Sequence, residues 1–379
     1  MHLYLHVPFC ARRCSYCDFA IAVRSRVPSE RYVDQVLREW DRWRGLAPWA
    51  GMAQLTTLYL GGGTPSSLDP EQLARLLARL TADKPLRAGA EVTLEANPDD
   101  ITPDRARAWR AAGINRVSLG VQSFDPAVLR WMHRTHVAGQ VAPAVAALRN
   151  AGIESISLDL IYALPAELQR DWSADLDQVL ALFPDHLSLY GLTVEPHTPL
   201  GRWVDRGEVH TTPDERYAVE FLEAHARLTA AGYAHYEVSN YGRPGRIAQH
   251  NSAYWRRVPY LGLGPSAHSA NGNRRWWNIR EWAEWDAALA DGKESVAGQE
   301  ELSPESIQVE ELYLGLRTSN GLAVNLLPPD LLRSWRNEGW AEESDGHVRL
   351  TPEGWLRLDA LVASVTGDGG TGNGEKGTR

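Results

Sequence analysis

The chain has 379 residues, 44% of them hydrophobic and 23% charged, with 39 Lys and Arg against 48 Asp and Glu. Its formal charge of -9 argues against a general nucleic-acid binder, which needs basic surface to neutralise phosphates. No run approaches the roughly 18 apolar residues of a membrane span, and MHLYLHVPFC lacks the basic start and longer apolar stretch of a secretory signal, so the expected compartment is the cytoplasm.

Taken in chain order, the first 195 residues alternate short β-branched or apolar runs with amphipathic stretches. Strands are expected at 3-7, 57-61, 91-96, 116-121, 155-162 and 186-192. Helices are expected between them: SERYVDQVLREW with Ser29 as N-cap, DPEQLARLLARL, TPDRARAWRAAG closing on Gly113, DPAVLRWMHR, VAPAVAALRNAG and LQRDWSADLDQVLALF. Apolar positions at helical spacing and capping residues at the ends support these assignments. Six βα units in sequence call for a parallel sheet with helices outside, open or closed into a barrel.

Past residue 196 the pattern loosens. Residues 212-232 form a strong helix pattern and 234-242 a strand, while 243-280, rich in Gly, Trp, Tyr, Asn and His, reads as loop-heavy. From 303 the expectation is helix 304-318, helix 329-338, a hairpin across 346-350 and helix 352-364, an order that resembles a winged-helix module serving as a packing domain. The chain thus divides into 1-195, an α/β extension 196-300, a small winged-helix-like helical part 301-365, and a tail 366-379 too poor in apolar residues to order.

Only three cysteines occur, Cys10, Cys14 and Cys17, all within eight residues. An odd, crowded set makes no disulfide framework. Clustered thiolates suit a metal centre. Zinc in a structural site wants four protein ligands, and only His2 and His6, in the preceding strand, stand near. Iron–sulfur clusters usually take four Cys, so three would leave one iron open for a small chelating ligand. Free structural thiols are the remaining reading.

In parallel α/β barrels, working residues collect where strands end. The cysteine loop follows the first strand, Gly61-Gly62-Gly63-Thr64-Pro65 the second; Glu95 lies near the end of the third, Gln122 just after the fourth, Asp159 near the end of the fifth. Each alone reads as a turn, an ion pair or a cap. Together they mark one edge.

Cys-x3-Cys-x2-Cys after a first strand, with Tyr16 before the last Cys, resembles the radical-SAM superfamily. That resemblance implies a [4Fe-4S] cluster on Cys10, Cys14 and Cys17, whose open iron binds S-adenosylmethionine (SAM) and whose electron cleaves it to a 5'-deoxyadenosyl radical. YLHVPFC, YLGGGTPS, LEANP, RVSLGVQSF and LDLIYALP narrow the likeness to oxygen-independent coproporphyrinogen III oxidases and their HemW heme-chaperone relatives, over all but the tail. It implies a partial (β/α)6 barrel, open on one side to suit a large flat ligand, and SAM contacts at Tyr4, Gly62, Gly63, Thr64, Glu95, Gln122, Arg134 and Asp159.

Two departures separate this chain from the dehydrogenase, which carries a fourth Cys two positions after the third and a long segment before the loop. Here Phe19 stands at that position and Cys10 is near the start. Conversely, His250-Asn251-Ser252-Ala253-Tyr254-Trp255 matches the HNxxYW motif of HemW proteins. An imidazole flanked by aromatic faces suits heme, which makes His250, Tyr254 and Trp255 candidate heme contacts, and YLGLGPSAHS (260-269) reads as a tight loop near the site. The expected function is a chaperone carrying heme to apo-hemoproteins, partners at the membrane among them, with a cluster-dependent homodimer and no nucleic acid. The alternatives are coproporphyrinogen III dehydrogenation and radical-SAM chemistry on an unknown substrate, so enzymatic activity stays open.

Overall fold

The computed structural model describes residues 1-367. Residues 368-379, most of the tail expected to be disordered, lie outside the described residues; Thr366 itself closes a helix.

Six parallel strands come first: β1 (His2–Val7), β2 (Leu55–Gly62), β3 (Leu86–Ala96), β4 (Arg116–Gln122), β5 (Ser155–Tyr162) and β6 (His186–Gly191). They pair in sequence order, each with the next. Between them run helices α1 (Ser29–Trp43), α2 (Pro70–Asp83), α3 (Pro103–Ala111), α4 (Pro126–Trp131), α5 (Val141–Asn150) and α6 (Trp172–Ala181). Asp69 caps α2, Thr102 α3, Asp125 α4 and Asp171 α6, each side chain accepting from a backbone N–H of the first turn, which satisfies donors a helix start would otherwise leave unpaired. Ser29 is not the cap of α1. It is the first helical residue, and its hydroxyl accepts from the Asp69 N–H.

Strand periodicity sorts the six strands into two faces. Leu3, Leu5 and Val7 alternate with His2, Tyr4 and His6, and the same alternation continues through register partners. One row runs Tyr4, Tyr59, Thr93; the next Glu95, Ser118, Ser157; the next Gly120, Asp159, Ser188. The opposite face, including Leu58, Leu60, Leu94, Val117, Leu119, Leu158 and Leu187, is buried apolar core. The sheet therefore has one greasy face and one continuous polar face, the arrangement of a barrel whose interior binds something.

The second half differs from the loop-heavy expectation. After α7 (Pro199–Asp205) and α8 (Asp214–Ala230) come β7 (Asn240–Gly242), α9 (Gln249–Trp255), β8 (Tyr260–Leu263), β9 (His268–Asn271), β10 (Arg274–Asn278), α10 (Trp282–Ala290) and β11 (Val296–Glu301). YLGLG is no tight loop: β8 pairs parallel to β1, with Gly262 opposite Tyr4. β9, β10 and β11 extend this side antiparallel, while β7 joins β6 at the other. These eleven strands of a twelve-stranded sheet run in the order β11-β10-β9-β8-β1-β2-β3-β4-β5-β6-β7. Residues on both sides of the expected boundary at 195/196 thus share one sheet and one compact unit, 1-234 with 239-301.

A second compact unit contains, among the described residues, 235-238 and 302-367. It holds α11 (Pro304–Leu316), α12 (Pro329–Asn337), a small three-stranded sheet that includes the hairpin Ala341–Ser344 with His347–Leu350, then α13 (Pro352–Trp355) and α14 (Leu358–Thr366). The single helix expected at 352-364 is broken after Trp355. Trp355 packs edge-on against His235 and donates its indole N–H to the Leu316 carbonyl. Among the described residues no helix is long and apolar enough to cross a membrane.

Candidate functional site

The cysteine loop leaves the C-terminal end of β1. Phe9–Cys10 pairs with Ala22–Val23, so the loop is closed at its base like a noose. Its far side is pinned by Ser15, whose N–H donates to the Met132 carbonyl and whose carbonyl accepts from the Leu200 N–H. All three thiols are partly accessible. Phe19, at the position of the missing fourth cysteine, is 59% exposed.

Three residues tie two of the thiols together. Thr64 Oγ1 donates to Cys10 Sγ at 3.4 Å, and Asn97 Nδ2 donates to Thr64 Oγ1 at 3.5 Å. Arg134 Nη2 donates to Asn97 Oδ1 at 2.5 Å and to the Gly120 carbonyl at 2.8 Å, while its Nη1 points at Cys14 Sγ at 3.5 Å. The network runs Cys10–Thr64–Asn97–Arg134–Cys14 and joins the ends of β1, β2 and β3 to the turn after α4. Asn97 belongs to LEANP, yet sequence reasoning passed over it; its place one residue past β3, at the edge where the other candidates collect, was the available signal.

Gly62 and Glu95 form the second group. The Gly62 N–H donates to Glu95 Oε2 at 3.0 Å and the Tyr59 hydroxyl to Glu95 Oε1 at 2.7 Å. Gly62 has φ +107°, and a Cβ there would meet the His6 ring at 2.6 Å, so only glycine fits. The Gly63 N–H donates to the Val7 carbonyl, at the root of the cysteine loop. Burial pushes the Glu95 carboxyl up to about 7, with neighbouring Asp159 adding to the rise and the Tyr59 hydroxyl opposing it. Asp159, also raised by burial, accepts from Ser118 Oγ at 3.0 Å to both oxygens. Gln122 sits at φ 67°, its amide lying against Gly120; a left-handed conformation costs about 1–3 kcal/mol in a non-glycine residue and collects at functional sites.

Which groups could this edge hold? Among the described residues no three His, Cys, Asp or Glu side chains converge on one single-ion position. A multi-iron cluster asks for something else: thiolates that each take a separate iron. Burial holds the thiols of Cys10 above their ordinary value and of Cys17 at about 11, so ligation would release protons. Arg134 Nε and Ser15 Oγ are buried with no partner. Such orphan donors beside the thiols, with the Glu95 and Asp159 carboxyls on the same polar face, fit an added ligand carrying both carboxylate and cationic groups. Arg134 would pair with the first and Glu95 accept from the second.

HNSAYW lies elsewhere. It forms α9, which packs on the polar face at the end of β2 away from the cysteine loop, and the Glu91 carboxylate caps it by accepting from the Gln249 and His250 N–H groups at 2.9 and 3.0 Å. The His250 ring is buried, with Nδ1 2.6 Å from Thr57 Oγ1 and Nε2 2.7 Å from the Tyr254 hydroxyl. Thr57 Oγ1 also lies 2.9 Å from His2 Nδ1. Burial lowers His250 to about 3, so the ring is neutral, and a neutral imidazole has one donor and one acceptor nitrogen. Both are engaged, whichever tautomer is present. In this arrangement ligation of heme iron by His250, as expected from the sequence, requires one of these two hydrogen bonds to break. Tyr254 spends its hydroxyl on the same ring and stacks edge-on with Tyr260, and Trp255, which ends α9, is half-buried. None of the three joins the cysteine edge.

Residues 4-179 match the radical SAM superfamily. The chain is 37% identical over 371 residues to a heme chaperone HemW of Mycobacterium tuberculosis, covering 96% of this chain and 94% of that one. It is 36% identical to HemW of Lactococcus lactis, over 85% of this chain and 82% of the relative. Among solved structures, HemN of Escherichia coli, a coproporphyrinogen III oxidase and radical SAM enzyme, superposes with a TM-score of 0.79 at 24% identity, over 96% of this chain and 89% of that chain. At that identity the likeness speaks for the fold.

Proposed function

The chain belongs to the HemW family of the radical SAM superfamily, and from that membership we propose that it is a heme chaperone. It takes up heme and passes it to apo-hemoproteins in the cytoplasm or at the membrane surface. The observation that carries this reading is kinship with HemW proteins across 96% of the chain, the matched span including HNSAYW and the Phe19 position.

In this reading Cys10, Cys14 and Cys17 hold a [4Fe-4S] cluster, and Tyr4, Gly62, Gly63, Thr64, Glu95, Gln122, Arg134 and Asp159 surround SAM. When bound, the cluster supplies an electron and an open iron position for SAM. The protein's own part is legible. Thr64 and Arg134 donate to sulfurs of the loop, and hydrogen bonds to cluster sulfurs are one determinant of potential. Asn97 holds Arg134 in place for a carboxylate. The exposed Phe19 side chain adds apolar surface beside the loop, where the dehydrogenase would have its fourth cysteine. We leave HNSAYW out of the iron's coordination, because His250 would first have to surrender Thr57 or Tyr254. A cluster-dependent homodimer belongs to the same proposal.

The test is anaerobic cluster reconstitution followed by heme titration, read in the Soret band. One heme per chain is the expected result. Absence of heme uptake by the reconstituted protein overturns the chaperone reading; conversion of coproporphyrinogen III with SAM and a reductant would then identify a dehydrogenase, which the HemN-like fold and the intact edge accommodate.

A further inference from the structure

Both ring nitrogens of His250 in the HNSAYW helix are hydrogen-bonded, and the ring touches one residue of the polar face whose place nothing so far has explained. The His250 ring stacks on the Tyr59 ring, centroids 5.0 Å apart and planes 24° from parallel. Tyr59 stacks in turn against Tyr4 at 6.1 Å. Its hydroxyl donates to Glu95 Oε1 at 2.7 Å. Gly61 lies between: a Cβ there would meet Tyr59 Cε1 at 2.8 Å and Glu95 Oε1 at 2.9 Å. The first glycine of the run is thus explained by the Tyr59–Glu95 pair that passes over it, as its neighbour Gly62 is by His6.

Read from back to front, the contacts form one line. Glu91 fixes the start of α9, and Thr57 and Tyr254 fix both nitrogens of His250. The ring so held presents its face to Tyr59, and Tyr59 holds one oxygen of Glu95. The Gly62 N–H holds the other. A buried carboxylate with two fixed donors keeps its remaining lone pairs aimed in one direction, and preorganised contacts of this kind lower the cost of binding.

We propose that HNSAYW is a brace for the SAM site: His250 is a positioning residue that sets the plane of Tyr59, and Tyr59 is a positioning residue that sets Glu95 against the cationic or hydroxyl groups of the ligand. The motif does its work by shaping the bound cofactor's pocket, without touching heme iron. This rests on the assignment of Glu95 as a SAM contact.

The test uses reconstituted full-length protein, with SAM as titrant by calorimetry and heme uptake measured in parallel. Tyr59→Phe removes one oxygen and leaves the stack, so it will fold; it should weaken SAM binding about tenfold, which corresponds to about 1.4 kcal/mol. His250→Ala should weaken SAM to a similar extent while the heme stoichiometry and Soret position stay those of wild type. His250→Phe keeps an aromatic face on Tyr59 and should recover part of the affinity. Because both residues act through one carboxylate, the double variant Tyr59→Phe/His250→Ala should lose less than the product of the two single losses. Unchanged SAM affinity in Tyr59→Phe overturns the brace. So does His250→Ala that keeps SAM affinity and shifts or loses the Soret band, which would make the ring a heme ligand after all. Wild type that binds no SAM overturns the site assignment itself, an outcome separate from the variants; wild type that binds SAM but no heme sinks the chaperone reading and leaves the brace standing.

Discussion

Strands β1 and β2 carry His, Tyr and Thr along their polar face at both ends, and the two ends treat them differently. At the rear, His2, Thr57, His250 and Tyr254 close on one another, every ring nitrogen of His250 spoken for. At the front, Thr64, Asn97 and Arg134 line up between two thiols, with Arg134 Nε and Ser15 Oγ buried and unpaired. Buried polar groups without partners cost free energy, and at the front, beside the thiols, a ligand could complete them. The rear is a finished structure; the front is an unfinished one. Chemistry belongs to the second, and the rear contributes by holding it still.

The largest effect should come from the front. Cys14→Ala removes a cluster ligand and the sulfur that Arg134 addresses. We expect complete loss of the iron–sulfur absorbance on reconstitution, and loss of SAM binding with it. The thermal unfolding of the cluster-free protein should barely change, since the side chain is partly accessible and substitutions outside packed features usually stay within about 0.5 kcal/mol. A large fall in cluster-free stability would show that the loop is a structural element in its own right and would blur the contrast between the ends.

How much of this division was legible beforehand depends on periodicity. β1 to β6 alternate apolar and polar residues cleanly, so their positions and the edge carrying Cys10, Glu95 and Asp159 could be read from the chain. Arg134 could not. It stands after α4, and only the family resemblance pointed to it; what makes it functional is a side chain reaching back to Asn97 and Gly120. The stretch 243-280 misled for a physical reason. β8, β9 and β10 are four or five residues long, β10 is Arg-Arg-Trp-Trp-Asn, and Gly262 and Gly264 punctuate β8 like a turn, so no window was long enough to show a period. Tyr59 was within reach. In TLYLGGG it alternates with Thr57 and Gly61, which places it on the polar face; reading that face as a row rather than strand by strand would have found it.

The rear should be one of the parts of the protein that acid attacks, beside the buried His6 and His136, which burial also lowers to about 4. Burial lowers His2 to about 4 and His250 to about 3, against about 6.5 in an unfolded chain. Between these values the unfolded state binds more protons than the folded one, so stability is fully present above pH 6.5 and drains away as the pH falls through about 4. Glu39 and Glu95, both raised to about 7 by burial, act with the opposite sign and make the folded state less stable as the pH rises from 4.5 to 7, which partly offsets the histidines. The urea midpoint of cluster-free protein, followed from pH 7.5 to 4.5, measures the sum. His2→Asn, whose amide can still meet Thr57, should make the acid limb shallower. An unchanged limb would mean that the His2–Thr57–His250 group is not what acid breaks.

The smallest effect sharpens the comparison most, because it separates a carboxylate that binds from one that merely packs. Burial beside Asp159, with Tyr59 and Gly62 donating to it, pushes the Glu95 carboxyl up to about 7. A ligand that presents a cation or a hydroxyl donor wants the ionised form. SAM affinity should therefore be nearly constant above pH 7.5 and fall below 7, approaching a tenfold loss per pH unit, the limit for a single proton. Over the accessible range from pH 8 to 6.5 that is a change of only a few-fold. Glu95→Gln, which cannot ionise, should bind more weakly at pH 8 and show a flat profile. If wild type is equally flat, Glu95 does not meet the ligand as an anion, and its bonds to Tyr59 and Gly62 become part of the finished structure at the rear.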